Sequence, residues 1–133
     1  MTILLQYTNI TVNDPDESIA FYRDALGLAV RNDVASGGFR WVTLGTDAQP
    51  GLGIVLSEPH PGRSQADGDA LQELLTKGVL PMLVFRTDDL DAAFEQARAT
   101  GAEVLQEPIA QPWGPRDCAF RDPSGNTVRI SQD

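Results

Sequence analysis

The chain repeats its own plan. "ITVNDPDESIAFYRDALGLAV" (residues 10–30) and "LVFRTDDLDAAFEQARATGAEV" (residues 83–104) pass through the same events in the same order. In each, a strand-like run ends in acidic residues, Asn13-Asp14 in one and Asp88-Asp89 in the other, and an amphipathic helix follows. In the first copy Pro15 sits at the opening helical position, where its missing N–H costs nothing. Asp14, with Glu17 three residues on, is a variant of a capping box. Ile19, Tyr22 and Leu26 recur at helical spacing and Gly27 stops the helix. In the second copy Leu90, Ala93, Phe94 and Ala97 form the apolar stripe and Gly101 ends it.

Strand signals follow each helix, at roughly 28–35, 39–46 and 51–57 in the first copy and 102–106, 116–121 and 126–131 in the second. The turns "VASGG" and "TDAQPG" carry the residues turns require. The terminal "DPSG" has Pro second and Gly fourth, as a type I turn prefers, and predicts a closing β-hairpin. Each copy is therefore strand, helix, three strands: module one at about 1–57 and module two at about 79–133, within a single domain spanning 1–133. The connection 58–78 starts loosely, and Leu71, Leu74 and Leu75 predict one or two helical turns in it. A period of about 75 residues is too long for a solenoid. The expected fold is α+β: paired βαβββ modules forming a curved eight-stranded mixed sheet. Helices bury their stripes on its convex side, and the concave side is left to hold something.

Charge and composition narrow the partners. The net charge of −9 argues against nucleic acid, because phosphate binding needs a basic face. It keeps the protein soluble or favours a cationic ligand. No apolar run approaches 18 residues, so no membrane span is expected. The beginning "MTILLQYTNITVND" reads as a strand and not as a signal peptide. The single cysteine, Cys118, excludes an internal disulfide and points to the cytoplasm. In a predicted strand it reads as a small buried thiol. The single histidine, His60, lies in the Pro- and Gly-flanked "SEPHPGR" and reads as a solvated loop residue or as a contact at a cavity mouth. Phosphate loop, dinucleotide fingerprint and serine elbow are all missing.

The segments "ITVNDPDESIAFYRDALGL", "LVFRTDDLDAAFEQARATGAEV" and "PWGPRDCAFRDPSGNTVRIS" together resemble the vicinal oxygen chelate superfamily, the glyoxalase/bleomycin-resistance/dioxygenase proteins. With their connections they cover nearly the whole chain. The resemblance implies a paired-module fold. In the family's metalloenzymes it also implies a divalent metal held by two histidines from the first strands and two glutamates from the last strands, acting as a Lewis acid. The matching positions here are Tyr7 and Met82, each seven residues before a helix-capping aspartate, and Val55 and Arg129 in "GIVLS" and "TVRIS". These four offer no imidazole and no carboxylate, and a guanidinium repels a cation. A register slip of one residue does not rescue the site, since Gln6, Pro81, Leu83, Ile54, Leu56, Val128 and Ile130 are all poor ligands.

What the resemblance then implies is metal-independent binding of a small aromatic ligand in the concave cavity, without metal or other cofactor. The form it suggests is drug sequestration of the bleomycin-resistance type, by a cytoplasmic homodimer whose second subunit completes the cavity. The alternatives are a glyoxalase-like lyase or extradiol-type dioxygenase, with a metal-free enzyme using Tyr7 or His60 as acid or base as its variant, and an accessory protein that binds a metabolite or a partner protein without conferring resistance. Trp113, held between Pro112 and Gly114, resembles a lip of the cavity. Trp41 and Trp113 either stack on ligand or cover the core or a dimer seam. Tyr7, Asn9, Trp41, Val55, Met82, Trp113, Arg116 and Arg129 are the expected ligand-binding residues, and no catalytic residue is assigned.

Overall fold

The structure, a computed structural model, describes residues 1–133. Its elements run β1 (Tyr7–Thr11), α1 (Pro15–Leu26), β2 (Ala29–Ser36), β3 (Phe39–Gly45), β4 (Gly53–Ser57), α2 (Gln65–Lys77), β5 (Leu83–Thr87), α3 (Leu90–Ala99), β6 (Glu103–Ala110), β7 (Arg116–Arg121) and β8 (Thr127–Gln132). Both modules are βαβββ, as the internal repeat requires, and the fold is α+β. The eight strands form two four-stranded mixed sheets, ordered β1-β4-β3-β2 and β5-β8-β7-β6. In each the first strand pairs parallel with the last and the other pairs are antiparallel. No ladder joins β1 to β5, so each is the edge of its own sheet.

The helix ends follow local chemistry. Asp14 Oδ1 accepts from the Asp16 and Glu17 amides at 2.9 and 3.4 Å, and Asp89 Oδ1 accepts from Ala92 N at 3.1 Å. Gly27 closes α1 in the left-handed region at φ 73°. The connection holds more helix than its leucines predict. Ser64 caps α2, which runs thirteen residues and ends at Gly78. Only Leu75 of its three leucines is fully buried.

Two apolar clusters hold the molecule together. Ile10, Val12, Val42, Leu44, Ile54 and Leu56 meet Tyr22 and Leu28 in one; Leu90, Phe94, Ala97, Cys118, Phe120 and Ile130 meet Ala25 in the other. Leu83, Phe85 and Val128 of module two pack on the first cluster, and Phe21 touches both, so the modules share a core.

A polar joint fixes the closing hairpin to module one. Asp122 is buried, and its Oδ1 accepts from the amides of Ser124, Gly125 and Asn126 at 3.0, 2.9 and 2.8 Å. Its Oδ2 accepts from Tyr22 Oη at 2.7 Å and Asn126 Nδ2 at 2.8 Å. Asn126 also donates to Thr11 O, and Ser124 Oγ accepts from Asn13 N. Burial, then the Asp122 charge and hydrogen bond, push the Tyr22 hydroxyl far above its ordinary range, so it stays a donor. Gly125 is obligatory here. Its φ is 118°, and a Cβ would lie 2.3 Å from Leu75 O at the end of α2.

Candidate functional site

Strand alternation decides which side chains can meet a ligand. Helices α1 and α3 cover one face of each sheet, and the opposite face is open. On module one the open face carries Tyr7, Asn9 and Thr11 from β1, Val55 and Ser57 from β4, and Phe39, Trp41 and Thr43 from β3. The register sets Asn9 beside Val55, and Val55 beside Thr43. The Tyr7 ring lies over Gly53, where a Cβ would come within 3.0 Å of its Cδ1. Ser57 Oγ donates to Asn9 Oδ1 at 3.2 Å, which leaves the Asn9 amide N–H groups directed elsewhere.

Phe39 and Trp41 are stacked, with centroids 6.4 Å apart and planes 10° from parallel. They wall a cleft of about 430 Å³ with Asn9, Thr11, Ser57, Glu58, Pro61, Gly62 and Arg63. The segment 58–63 that forms its far wall is anchored by His60. Nε2 of His60 lies 2.8 Å from Asp69 Oδ1, and its ring rests on Gly68, where a Cβ would sit 2.3 Å from Cδ2. The His60 hydrogen bond holds the Asp69 carboxyl below its usual range. His60 therefore does structural work behind the cleft, a role its loop position did not reveal.

Module two's open face has different chemistry at matching positions. Val84 lies beside Arg129, Arg129 beside Ala119, and Ala119 beside Gln106. Arg129 Nη1 is 3.1 Å from Asp117 Oδ1 and donates to Gln106 Oε1 at 3.1 Å. Asp117 Oδ1 also accepts from Gln106 Nε2 and Gln111 Nε2, both at 2.8 Å. Burial opposes the Asp117 charge, yet Gln111, Gln106 and Arg129 together hold its carboxyl below the ordinary range. Burial, and then this neighbouring charge, push the Cys118 thiol up to about 11, as befits an unreactive core residue.

Of the eight expected site residues, Tyr7, Asn9, Trp41 and Val55 share module one's open face. Met82 and Arg129 lie at module two's. Trp113 is 78% exposed in the β6–β7 loop and does not line the cleft. Arg116 points the other way: it lies on the helix side with Cys118 and Phe120 and donates to Asp91 of α3 at 3.0 Å. Gln106, Gln111 and Asp117 escaped the sequence reading. The signal was available in the two-residue period, which sets Asp117 on the face opposite Cys118.

The sequence profile of the Glyoxalase/Bleomycin resistance protein/Dioxygenase superfamily matches residues 4–130. The chain belongs to this superfamily. It is 31% identical over 127 residues to the Bacillus subtilis (strain 168) protein YurT, covering 94% of this chain and 95% of YurT. Among solved structures it resembles UcmS2, with a TM-score of 0.91 and 32% identity over the whole of both chains. It also resembles TnmS3, an antibiotic binding protein from Streptomyces sp. CB03234, with a TM-score of 0.76 and 25% identity over 98% of this chain and 96% of that one.

The metal used by enzymes of the superfamily does not fit these residues. The four positions present a phenol, an isopropyl group, a thioether and a guanidinium, and the guanidinium is already paired with Asp117. Nowhere do three His, Cys, Asp or Glu side chains gather as a metal would require. No helix is long and apolar enough to cross a membrane.

Proposed function

We propose that this protein binds a small aromatic molecule on its open faces without a metal, and that it sequesters a drug by doing so. The carrying observation is the Phe39–Trp41 stack set above Asn9 and Ser57 in an open cleft. Such a wall takes a planar ring against its rings while the amide and hydroxyls orient its polar edge. Similarity to the antibiotic binding protein TnmS3 supports the same reading.

The working unit in this reading is a cytoplasmic homodimer. The arm before β1 exposes Ile3, Leu4 and Leu5 at 83%, 81% and 71%, with no surface of its own chain to cover them. Residues 1–13 and 78–85 have no charged side chain in a chain of net charge −9. The first segment contains the edge strand β1 and the second the beginning of the edge strand β5, which goes on to Arg86 and Thr87; the free backbone groups of both strands need partners. Two copies meeting at these edges avoid mutual repulsion. They would join module one's open face to module two's of the partner subunit.

Thermal unfolding with and without nickel, zinc or iron tests the metal-free part. The expected result is an unchanged Tm, because only a ligand of the folded state raises it. A rise of several degrees that disappears on changing Tyr7 and Met82 would restore the lyase or dioxygenase reading.

A further inference from the structure

The charge of Arg129 invites an anionic ligand, while the acidic chain invites a cation. The surroundings of Arg129 resolve this conflict. Its Nη1 is spent on Asp117 and Gln106, whereas Nε and Nη2 bond to no protein group. Asp117 Oδ1 accepts from Gln106 and Gln111 and is the oxygen paired with Arg129, while Oδ2 accepts no hydrogen bond. The only fully buried side-chain polar atom lacking a partner is Ser18 Oγ, so the idle atoms of Arg129 and Asp117 each keep some solvent access; the Arg129 side chain is 25% exposed and that of Asp117 only 5%. The open face thus offers two charge-assisted donors of Arg129 and, on the carboxylate paired with it, one narrowly accessible charged acceptor.

We infer that Arg129 and Asp117 act as one neutral reader, selecting a ligand edge that carries an acceptor next to a donor. A primary carboxamide has this edge, as does a carbonyl flanked by a hydroxyl. The inference rests on the binding reading above and specifies the ligand's chemistry. The formal charges of the pair cancel. A carboxylate would gain from Arg129 but meet Asp117 Oδ2, and an ammonium would suffer the reverse. The pair itself holds together, because the Asp117 side chain is only 5% exposed and separating buried partners is expensive. Apolar surface lies alongside for the ligand's body: Val84, beside Arg129 in the ladder, is 60% exposed and Met82 is 51% exposed.

Calorimetric titration with 2-naphthamide, 2-naphthoate and 2-naphthylmethylammonium tests this. In the native protein the amide should bind about tenfold more tightly than either ion, since mismatched polar groups left unpaired penalise the wrong ligand. Asp117→Asn should move the preference to naphthoate. The double variant Asp117→Asn/Arg129→Gln, neutral again, should return it to the amide. Should a variant not fold, the native ranking still decides, and an ion binding tightest overturns the neutral reader. Naphthoate binding tightest to the native protein, unchanged in Asp117→Asn, overturns it while leaving the binding face intact. Failure of all three probes to bind the native protein overturns the binding reading, and the neutral reader with it.

Discussion

The two modules share one plan and solve its problems differently. Pairing each last strand with its neighbours aligns Asn9, Val55, Thr43 and Asn32 of module one with Val84, Arg129, Ala119 and Gln106 of module two. By the same count Trp41 corresponds to Asp117. Module one turns rings and neutral polar groups to its open face, and module two turns a compensated ion pair. The last hairpins differ too. In module one Arg31 reaches under the loop and donates to the carbonyls of Thr46, Gln49, Pro50 and Leu52, all in exposed surroundings. In module two the buried Asp122 accepts five hydrogen bonds. The backbone plan tolerates opposite charges in its turns, provided the dangling groups of the loop are answered. Water can answer them in the first case and not in the second.

The largest expected effect breaks this contrast at the turns. Asp122→Ala strands three amides, Tyr22 and Asn126 in the interior and should cost about 4 kcal/mol in urea unfolding, the upper range for one substitution. Arg31→Ala frees carbonyls that water can reach and should cost about 1 kcal/mol. Equal losses would mean that burial is not what separates the two turns. Tyr22→Phe should cost about 2 kcal/mol by leaving Asp122 Oδ2 short of a donor. Tyr22 keeps its proton in the folded state, while the unfolded chain loses it above pH about 10. The unfolded state then binds fewer protons, so native stability should fall as pH rises beyond that point, and Tyr22→Phe should lack this component.

The open faces give smaller effects. Trp41→Ala should weaken a planar aromatic ligand by about 1–3 kcal/mol, the usual worth of a stacking ring. Fluorescence titration reads this directly. A greater loss from Trp113→Ala would shift the mouth of the site to the β6–β7 loop. Smallest is the acid limb. Asp117 has its carboxyl held low, so its contribution is present above the ordinary value of about 3.9 and fades as pH falls through its folded value. Comparison of the native protein with Asp117→Asn below pH about 4 should show the native protein losing stability faster.

Most of the fold was legible because its signals are local. Asp14, Gly27, Asp89 and the "DPSG" turn act through neighbouring backbone groups, and each does its predicted work. Helix α2 was underestimated because Gly68 interrupts its interior and only Leu75 is fully buried, which weakens the periodic pattern. The β1-to-β5 relationship is not local at all. The site was half legible for the same reason. Spacing from a capping aspartate located Tyr7 and Met82, but which side chains share a face depends on register. Arg116 looked like a ligand contact until alternation placed it with Cys118 and Phe120. Gln106 and Gln111 reach Asp117 across a bulged β6–β7 ladder, whose register shifts no local pattern announces.

The central claim is that open faces built from Trp41 and Arg129 bind an organic ligand where related enzymes hold a metal. Native mass spectrometry of freshly purified protein tests it most directly. The account predicts a species of twice 14.4 kDa that carries no stoichiometric metal and takes up an added aromatic ligand. A stoichiometric divalent ion, or a 14.4 kDa species that takes up no aromatic ligand, would contradict it.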